Sequence, residues 1–571
     1  MSGGGFRAAC FSLGSLSYLQ RLHYKGQPLL QNVRFISSTS GGSITNLAYS
    51  SGVFKGRSFE HCFGFLMTEL DGEKLISRAL SILKSRKEWK NRPAKSRNLI
   101  NAFSMAYDEL LQQETFSIFS DRQHQPHLEE ICVNATEFTN GLPFRFQSQH
   151  PGDFPKGRIG NRFIFFAPRG IPMAHKIKLA DILASSSCFP SGFEPMIFPN
   201  DYTHAALTGD ELRKAISFKA NTFTIENPES REQPEGAGTL PAKDSAAEAV
   251  QQENSYNSID LLADATFNKA LHFGLMDGGV ADNQAIDAFR LANDRRRKNG
   301  LTEFDLYLAC DVTSNFMDGY TLPMEKKKWY NRITVYGIII LWVLCSLVFP
   351  ALLVFARNGW KGWMYVVSTI SVLMAIPLLY LGFTKIKSLF RKKKDNSWST
   401  IFNKYLGVFL GLRISVLKQM ISSRIKSVFI LANDIYLKQI RRMYYEELFT
   451  DDTYKDKMIQ NAIYDLSRAI FTGKDMSTDP LHPSKKIIDI AEKARTMGTT
   501  LWFDQQHQAG NMKASIVAAG QFTTCYNLLR FLNKKEPGSL SPELLSLQAA
   551  LQADWERFNT DPMFMMQGRS N

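Results

Sequence analysis

The chain has 571 residues, of which 44% are apolar, and a formal net charge of +14. This length exceeds a single ordinary hydrophobic core, so we expect two or more structural units. The seven cysteines are isolated and odd in number, which argues against a disulfide framework and a metal site and favours reduced thiols in a cytosolic catalytic portion. The first residues lack a charged segment followed by an apolar run, so we expect no cleavable secretory signal.

The positive charge is concentrated beside the long apolar segments of the chain. Basic residues cluster at 326–332 and again at 385–394. Basic residues in such positions favour contact with anionic lipid headgroups. No nucleic-acid recognition motif accompanies the charge, so the sequence argues against a nucleic-acid partner.

Residues 1–320 alternate helical and strand-like patterns, which predicts an α/β layered domain. Leucines recur every three to four residues across 7–24, a spacing that is typical of a helix. A short strand is predicted at 33–37, leading through a tight turn at Ser40 into a helix at 43–50. Further strands are predicted at 131–136, 162–166 and 306–312.

Residues 226–256 interrupt this pattern. They are dominated by Pro, Glu, Gln, Ser and Ala, and large apolar side chains are scarce. This composition predicts a disordered surface insertion. A lid over an active site is the alternative, because lids occupy long loops near such sites.

The segment 321–395 is predicted to form a transmembrane hairpin with spans at 333–356 and 363–383. Each span is long enough for a hydrocarbon core of about 30 Å at about 1.5 Å per residue. Neither contains an ionisable residue, and aromatic residues lie near the ends, as at a membrane interface. A buried helical hairpin is the alternative, although such a helix normally shows a polar face. The basic outer flanks predict a two-span, multi-pass protein with both soluble regions cytoplasmic.

Residues 396–571 are predicted to be mainly helical. The stretch 414–448 has helical periodicity and many Lys and Arg residues. Its basic face could lie on a membrane surface, but an ordinary solvated face is favoured.

The segment 38–42 has the composition of a nucleophile turn. A serine at a sharp strand-to-helix elbow needs small residues two positions on either side, and around Ser40 these are Ser38 and Gly42. Ser38 stands where such turns usually have glycine. Ser40 is therefore the candidate nucleophile, with an ordinary glycine-rich turn as the alternative.

Gly3, Gly4 and Gly5 form a loop that a ligand can approach closely, because glycine has no side chain. Their backbone N–H groups are candidate donors for an oxyanion hole. Arg7 is predicted either to fix this loop or to pair with a substrate phosphate. A flexible tail is the alternative reading of the glycines.

Asp277 is the candidate general base. It follows an apolar pair and precedes Gly278 and Gly279, as expected where a strand ends in a tight turn. Partial desolvation would raise the proton affinity of its carboxylate towards working pH; an Asx-turn role is the alternative. His204 and His272 have no motif around them and are predicted to be structural.

Taken together, these segments resemble the patatin-like phospholipase family. SGGGFRA at 2–8, STSGGS at 38–43 and DGGVADN at 277–283 match its oxyanion loop, nucleophile elbow and aspartate segment in order. NATEFTNG at 134–141 and LADILASSSCFPSGFEP at 179–195 are weaker matches. The resemblance covers about 1–320, while the hairpin and C-terminal helices are similar to membrane-anchored bacterial members, which adds a bacterial inner membrane to the predicted location.

The resemblance implies a three-layer α/β/α fold, a Ser40–Asp277 dyad without histidine, no cofactor and no metal. It also implies release of fatty acid from a membrane lipid, a phospholipid or lysophospholipid, through an acyl-enzyme. Members of the family place a β-strand directly before the glycine loop, and here Met1-Ser2 stand in that place. A catalytically impaired membrane scaffold is therefore one alternative, and acyl transfer by the same dyad is another.

Overall fold

A computed structural model provides the fold of the chain. The ranges that it describes are 1–138, 140–148, 159–190, 192–218, 272–313, 333–342, 344, 362–363, 365–367, 369, 373, 411–471 and 481–566. The chain divides into two compact units, one formed by Met1–Asn315 with Leu437–Asn571 and the other by Phe316–Tyr436. The predicted insertion at 226–256 lies outside the described residues.

The described helices are numbered here in chain order. They are α1 (Gly5–Arg21), α2 (Gly41–Phe54), α3 (Phe59–Glu69), α4 (Lys74–Lys84), α5 (Arg86–Lys90), α6 (Leu99–Leu110), α7 (Ile171–His175), α8 (Leu179–Ser187), α9 (Gly209–Ala215), α10 (Gly279–Asp282), α11 (Ile286–Lys298), α12 (Ile414–Ile430), α13 (Leu437–Thr450), α14 (Lys485–Thr496), α15 (Gln505–Ala509), α16 (Met512–Asn533) and α17 (Pro542–Thr560).

The described strands are numbered in the same way. They are β1 (His23–Tyr24), β2 (Gln27–Pro28), β3 (Phe35–Thr39), β4 (Glu130–Glu137), β5 (Leu142–Gln147), β6 (Ile164–Phe166), β7 (Met196–Phe198), β8 (Ile216–Phe218), β9 (Phe273–Asp277), β10 (Tyr307–Asp311) and β11 (Met458–Ala462).

Strand β4 organises the main sheet because it pairs with three other strands. All its residues are buried, as expected for a strand covered on both faces. The hairpin partner β5 pairs antiparallel with 132–137 along one edge. Strand β3 pairs parallel with 130–134, and β9 pairs antiparallel with 135–137. Since β5 already occupies the first edge, β3 and β9 lie end to end along the other.

The first two residues connect this sheet to the parallel pair β10–β11. The Met1 ammonium donates to the Ser37 carbonyl oxygen (2.8 Å), and the Met1 carbonyl accepts from the Thr39 N–H (3.1 Å). On the other side, the Ser2 N–H donates to the Cys310 carbonyl (2.9 Å), and the Ser2 hydroxyl accepts from the Val312 N–H (3.0 Å). At the position where a strand was expected, these two residues bond to both β3 and the β10 segment.

The core of the first unit includes the C-terminal helices. Helix α1 is buried on every side from residue 5 to residue 19, so its apolar surface needs cover from several elements. Its main partner is α16, and the two backbones meet at glycines. A Cβ atom placed on Gly14 would lie 2.1 Å from the Val517 carbonyl oxygen, and one on Gly520 would lie 2.2 Å from that of Phe11.

The described helices contradict the predicted transmembrane hairpin. Among the described residues, no helix combines the length and the apolar composition that crossing a membrane requires. The two-span hairpin, the multi-pass inner-membrane location and that part of the predicted fold are therefore wrong. Much of 333–356 and 363–383 lies outside the described residues. A span needs one continuous apolar helix of about 20 residues, and the described residues contain none.

The glycine contact between α1 and α16 predicts opposite effects for two helical Gly→Ala substitutions. Gly520→Ala brings a methyl group against backbone and should destabilise the first unit by about 2 to 3 kcal/mol. Gly64→Ala, on α3, meets nothing within 4 Å and should stabilise by about 0.5 to 1 kcal/mol, because alanine favours the helix. Unfolding midpoints of the two variants measure this. A Gly520→Ala protein as stable as wild type would contradict the contact.

Candidate active site

The end-to-end arrangement of β3 and β9 brings the predicted nucleophile and base together. Thr39, the last residue of β3, pairs with Asn134, and Asp277, the last residue of β9, pairs with Ala135. Because β3 runs parallel to β4 and β9 runs antiparallel, the two strands converge from opposite directions on adjacent residues. Ser40 follows Thr39 directly. The pairing register of β4 thus brings together Ser40 and Asp277, which lie 237 positions apart in sequence.

Ser40 occupies a strained elbow between β3 and α2. Its backbone angles are φ 50° and ψ −124°, a sparsely populated region that costs about 1 to 3 kcal/mol. The two residues after it must be glycine on steric grounds. A Cβ atom on Gly41 would lie 2.1 Å from the Gly5 carbonyl oxygen, and one on Gly42 would lie 2.6 Å from that of Ser2. The serine is partly exposed, so a substrate can reach it.

The unusual Ser38 has a structural explanation. Its side chain is fully buried, and its hydroxyl accepts hydrogen bonds from the Asn46 amide (2.8 Å) and the Ser43 hydroxyl (3.0 Å). Both partners lie on α2, so the hydroxyl ties β3 to the helix that follows the elbow. Here a small polar residue performs a bonding role that glycine would not.

Asp277 is buried beside the serine. Its exposed fraction is 2%, and this burial raises the pKa of the carboxyl to about 6. The Gly279 N–H donates to Oδ1 (2.7 Å) and opposes the rise by favouring the carboxylate, and the nearby Ser40 side chain also acts to lower this pKa. Gly278 is needed for packing, since a Cβ atom there would lie 2.3 Å from the Asn134 carbonyl oxygen. The carboxyl is therefore poised to exchange a proton with Ser40 near neutral pH.

The glycine loop offers two of the three predicted amides. The Gly3 N–H donates to the Asn283 carbonyl oxygen (2.9 Å), so it is already engaged. For the N–H groups of Gly4 and Gly5, the described residues include no hydrogen-bond acceptor. Both glycines have positive φ, 140° and 60°, a conformation that glycine adopts without steric cost.

Gly41 supplies an amide that the sequence analysis did not single out. It is the first residue of α2, where backbone N–H groups have no partner within the helix. The position of its missing Cβ is 2.5 Å from the Gly5 nitrogen, so the two backbones are in contact. The signal was present in the motif, because the residue after a nucleophile on such an elbow commonly donates its N–H to the oxyanion.

Arg7 supports the loop. Its guanidinium donates to the carbonyl oxygens of Met497 (2.5 Å) and Arg495 (3.1 Å). The neighbouring Phe6 N–H donates to the Thr500 carbonyl (2.8 Å). Of the two predicted roles, these contacts favour fixing the loop over pairing with a substrate phosphate.

His204 and His272, which the sequence predicts to be structural, form hydrogen bonds away from Ser40 and Asp277. His204 bonds to the Lys176 carbonyl oxygen (2.9 Å), and His272 approaches that of Phe198 (3.4 Å). Neither is hydrogen-bonded to Ser40 or Asp277. In the described part of the chain, no group of three or more His, Cys, Asp or Glu side chains is arranged to hold a metal ion.

The burial of Asp277 predicts that removing its charge stabilises the protein. Its pKa is about 6 when folded and roughly 3.9 in an unfolded chain. At pH 7.5 the ionised carboxylate therefore costs about 3 kcal/mol of stability, a cost that fades as pH falls from 6 to 4. Asp277→Asn should unfold at a higher denaturant concentration than wild type at pH 7.5, with the gap closing by pH 4.

Asp311→Asn is the matched control for this prediction. Asp311 is also fully buried, but it pairs with Arg441 (2.7 Å), and breaking a buried ion pair typically costs about 3 to 5 kcal/mol. Its removal should therefore destabilise. An Asp277→Asn protein that is less stable than wild type at pH 7.5 would argue against an unpaired buried charge at this position.

Comparison with known proteins gives a match in the N-terminal part of the chain. Searches among curated proteins and among solved structures gave no match. A family model described as Patatin-like phospholipase matches residues 1–209. This range contains the glycine loop and the Ser40 elbow, while Asp277 lies beyond it. Over residues 1–209 the match confirms the resemblance to the patatin-like phospholipase family, whereas the membrane-anchored bacterial detail is not confirmed.

Proposed function

We propose that the protein is a serine lipid acyl hydrolase that uses Ser40 and Asp277 as its catalytic dyad. The observation that carries the proposal is the convergence of the two residues: Thr39, directly before Ser40, and Asp277 pair with the adjacent residues Asn134 and Ala135 of β4, and Asp277 is buried there. A serine hydroxyl attacks an ester poorly unless a base accepts its proton. Desolvation raises the pKa of a carboxyl group towards neutrality, so its carboxylate can accept the serine proton without a histidine.

In the first step, Asp277 accepts the Ser40 proton as Oγ forms a bond to the acyl carbonyl carbon. The carbonyl π electrons move to oxygen and give a tetrahedral oxyanion. As the oxyanion collapses, the bond to the leaving alcohol breaks, and the proton held by Asp277 passes to that alcohol. The product of this step is an acyl-enzyme on Ser40.

The amides of Gly4, Gly5 and Gly41 are suited to stabilise the oxyanion. They are backbone donors near the nucleophile, and the Gly41 amide also lies at the N-terminus of α2, where the helix dipole favours negative charge. Donors fixed before reaction need no reorganisation as charge develops. Losing one donor of this kind typically lowers kcat by a factor of about 10² to 10³.

Water completes the cycle by reversing these roles. Asp277 takes a proton from water, the hydroxide oxygen attacks the acyl carbon, and Ser40 leaves with the proton returned. The released fatty acid comes from a phospholipid or lysophospholipid, a substrate class inferred from the patatin-like phospholipase match. An alcohol in place of water would give acyl transfer through the same steps.

The dyad predicts loss of activity on the acid side of neutrality. Asp277 is active as a base only when ionised, and its pKa is about 6. The kcat/KM for a lysophospholipid should therefore be constant above about pH 7 and fall roughly tenfold per pH unit below about 6. Activity that stays level down to pH 4.5 would contradict the assignment. Recovery on return to pH 7.5 controls for unfolding.

A fluorophosphonate probe tests the nucleophile directly. Wild type should be labelled at Ser40, whereas Ser40→Ala should not be labelled and Asp277→Asn should be labelled at least a hundredfold more slowly. Ser51→Ala, a serine on α2 that bonds within its own helix, is the matched control and should react like wild type. Equal labelling of Ser40→Ala and wild type would refute the proposal, as would absence of both labelling and esterase turnover. Products formed with a glycerolipid acceptor present separate hydrolysis from transfer.

A further inference from the structure

Three consecutive buried serines, Ser185, Ser186 and Ser187, end helix α8. They belong to the stretch 179–195, to which the dyad mechanism gives no role. All three are at most 4% exposed. Three buried hydroxyls in succession must each find a partner, because an unsatisfied one costs about 1 to 3 kcal/mol. The partners they find differ.

The outer two hydroxyls bond back within their own helix. Ser185 donates to the Ile182 carbonyl (2.8 Å), and Ser187 donates to that of Leu183 (2.8 Å). Ser187 also lies 3.5 Å from the Tyr107 hydroxyl. Such local bonds are the usual solution for serine in a helix. Neither hydroxyl is hydrogen-bonded to Ser40 or Asp277.

The hydroxyl of Ser186 leaves the helix and reaches the nucleophile elbow. It accepts a hydrogen bond from the backbone N–H of Ser40 (2.9 Å). It donates its own proton to the Asn134 carbonyl (2.6 Å), and it lies 3.1 Å from the Ser43 hydroxyl on α2. One side chain therefore contacts β4, the elbow and the helix that follows it.

The backbone at the same helix end holds the aspartate. The Gly278 N–H donates to the Ser186 carbonyl (3.3 Å), and the Asp277 N–H donates to that of Cys188 (3.2 Å). Ser186 is thus bonded through its side chain to the residue that carries the nucleophile and through its carbonyl to the turn that carries the base. Two segments that are remote in sequence are tied to a single residue.

We propose that Ser186 is a positioning residue that holds the strained Ser40 elbow in register with Asp277. The proposal rests on the dyad function put forward above. The elbow conformation persists only if its surroundings impose it, and the bond to Ser186 fixes the amide at the strained residue itself. Without that acceptor the elbow relaxes, and a displacement of about 1 Å between reacting groups lowers rates by roughly a hundredfold.

Single alanine variants of the three serines test this. All three lose one buried hydroxyl, and Ser186→Ala should show the largest decrease in unfolding midpoint because it also leaves the Ser40 N–H without its acceptor. Rates are therefore compared at a temperature where all three variants are folded. Ser186→Ala alone should lose roughly ten- to a hundredfold in kcat and in the rate of fluorophosphonate labelling, with KM changed less than about twofold. Ser186→Cys, which keeps the side-chain size but is a weak acceptor, should lose nearly as much and serves if the alanine variant folds poorly.

The pH profile separates positioning from general destabilisation. The nearby Ser40 side chain lowers the pKa of Asp277, so an elbow that has moved away should shift the acid limb of activity to higher pH in Ser186→Ala. In Ser185→Ala and Ser187→Ala, the pH at which activity falls on the acid side should equal that of wild type. Equal kcat, labelling rate and acid limb in all three variants would overturn the role of Ser186 while leaving the dyad intact. Failure of wild type to be labelled would instead refute the dyad.

Discussion

The geometry of the candidate active site depends on how one edge of strand β4 is shared. Strand β3 pairs with its first part and β9 with its second part, so the two strands stop against neighbouring residues, Asn134 and Ala135. Strand spacing is fixed by backbone hydrogen bonds at about 4.8 Å, which leaves little freedom to the residues that follow. Ser40 and Asp277 therefore meet because a ladder of main-chain bonds brings them there. Side chains refine a position that the backbone has already set.

Around this point the chain uses close backbone packing and burial of charge, both of which oppose stability. Gly41 and Gly5 approach so closely that a methyl group would not fit between them, and Asp277 loses contact with water. The binding of Arg7 to the 495–497 carbonyls and of Phe6 to Thr500 shows what compensates. Segments distant in sequence thus hold the residues that directly follow the glycine loop. Rigid surroundings allow Ser40 to keep its strained backbone conformation and the Asp277 carboxylate to stay buried.

The local chemistry of the site was predictable from the sequence. Small residues around Ser40, three glycines near the start and an Asp-Gly-Gly turn are each explained by steric rules that act over a few residues. The long-range bonds were not predictable. Nothing in the sequence indicates that the Gly3 N–H is used by Asn283, or that Ser186 differs from the serines on either side of it, because both facts depend on register. The membrane hairpin was wrong for a different reason: hydropathy measures composition, whereas a span requires a continuous apolar helix, which the part of the chain that the structure describes does not contain.

The contact of α1 with α16 has a consequence for folding. Helix α1 carries the glycine loop, yet Gly14 meets its partner Gly520 across some five hundred residues of sequence. Until that contact forms, the apolar surface of α1 lacks its main cover, and contacts between such distant residues form slowly. A partly folded chain therefore exposes this surface and is prone to aggregate. The candidate oxyanion loop is correspondingly among the last parts of the first unit to become ordered.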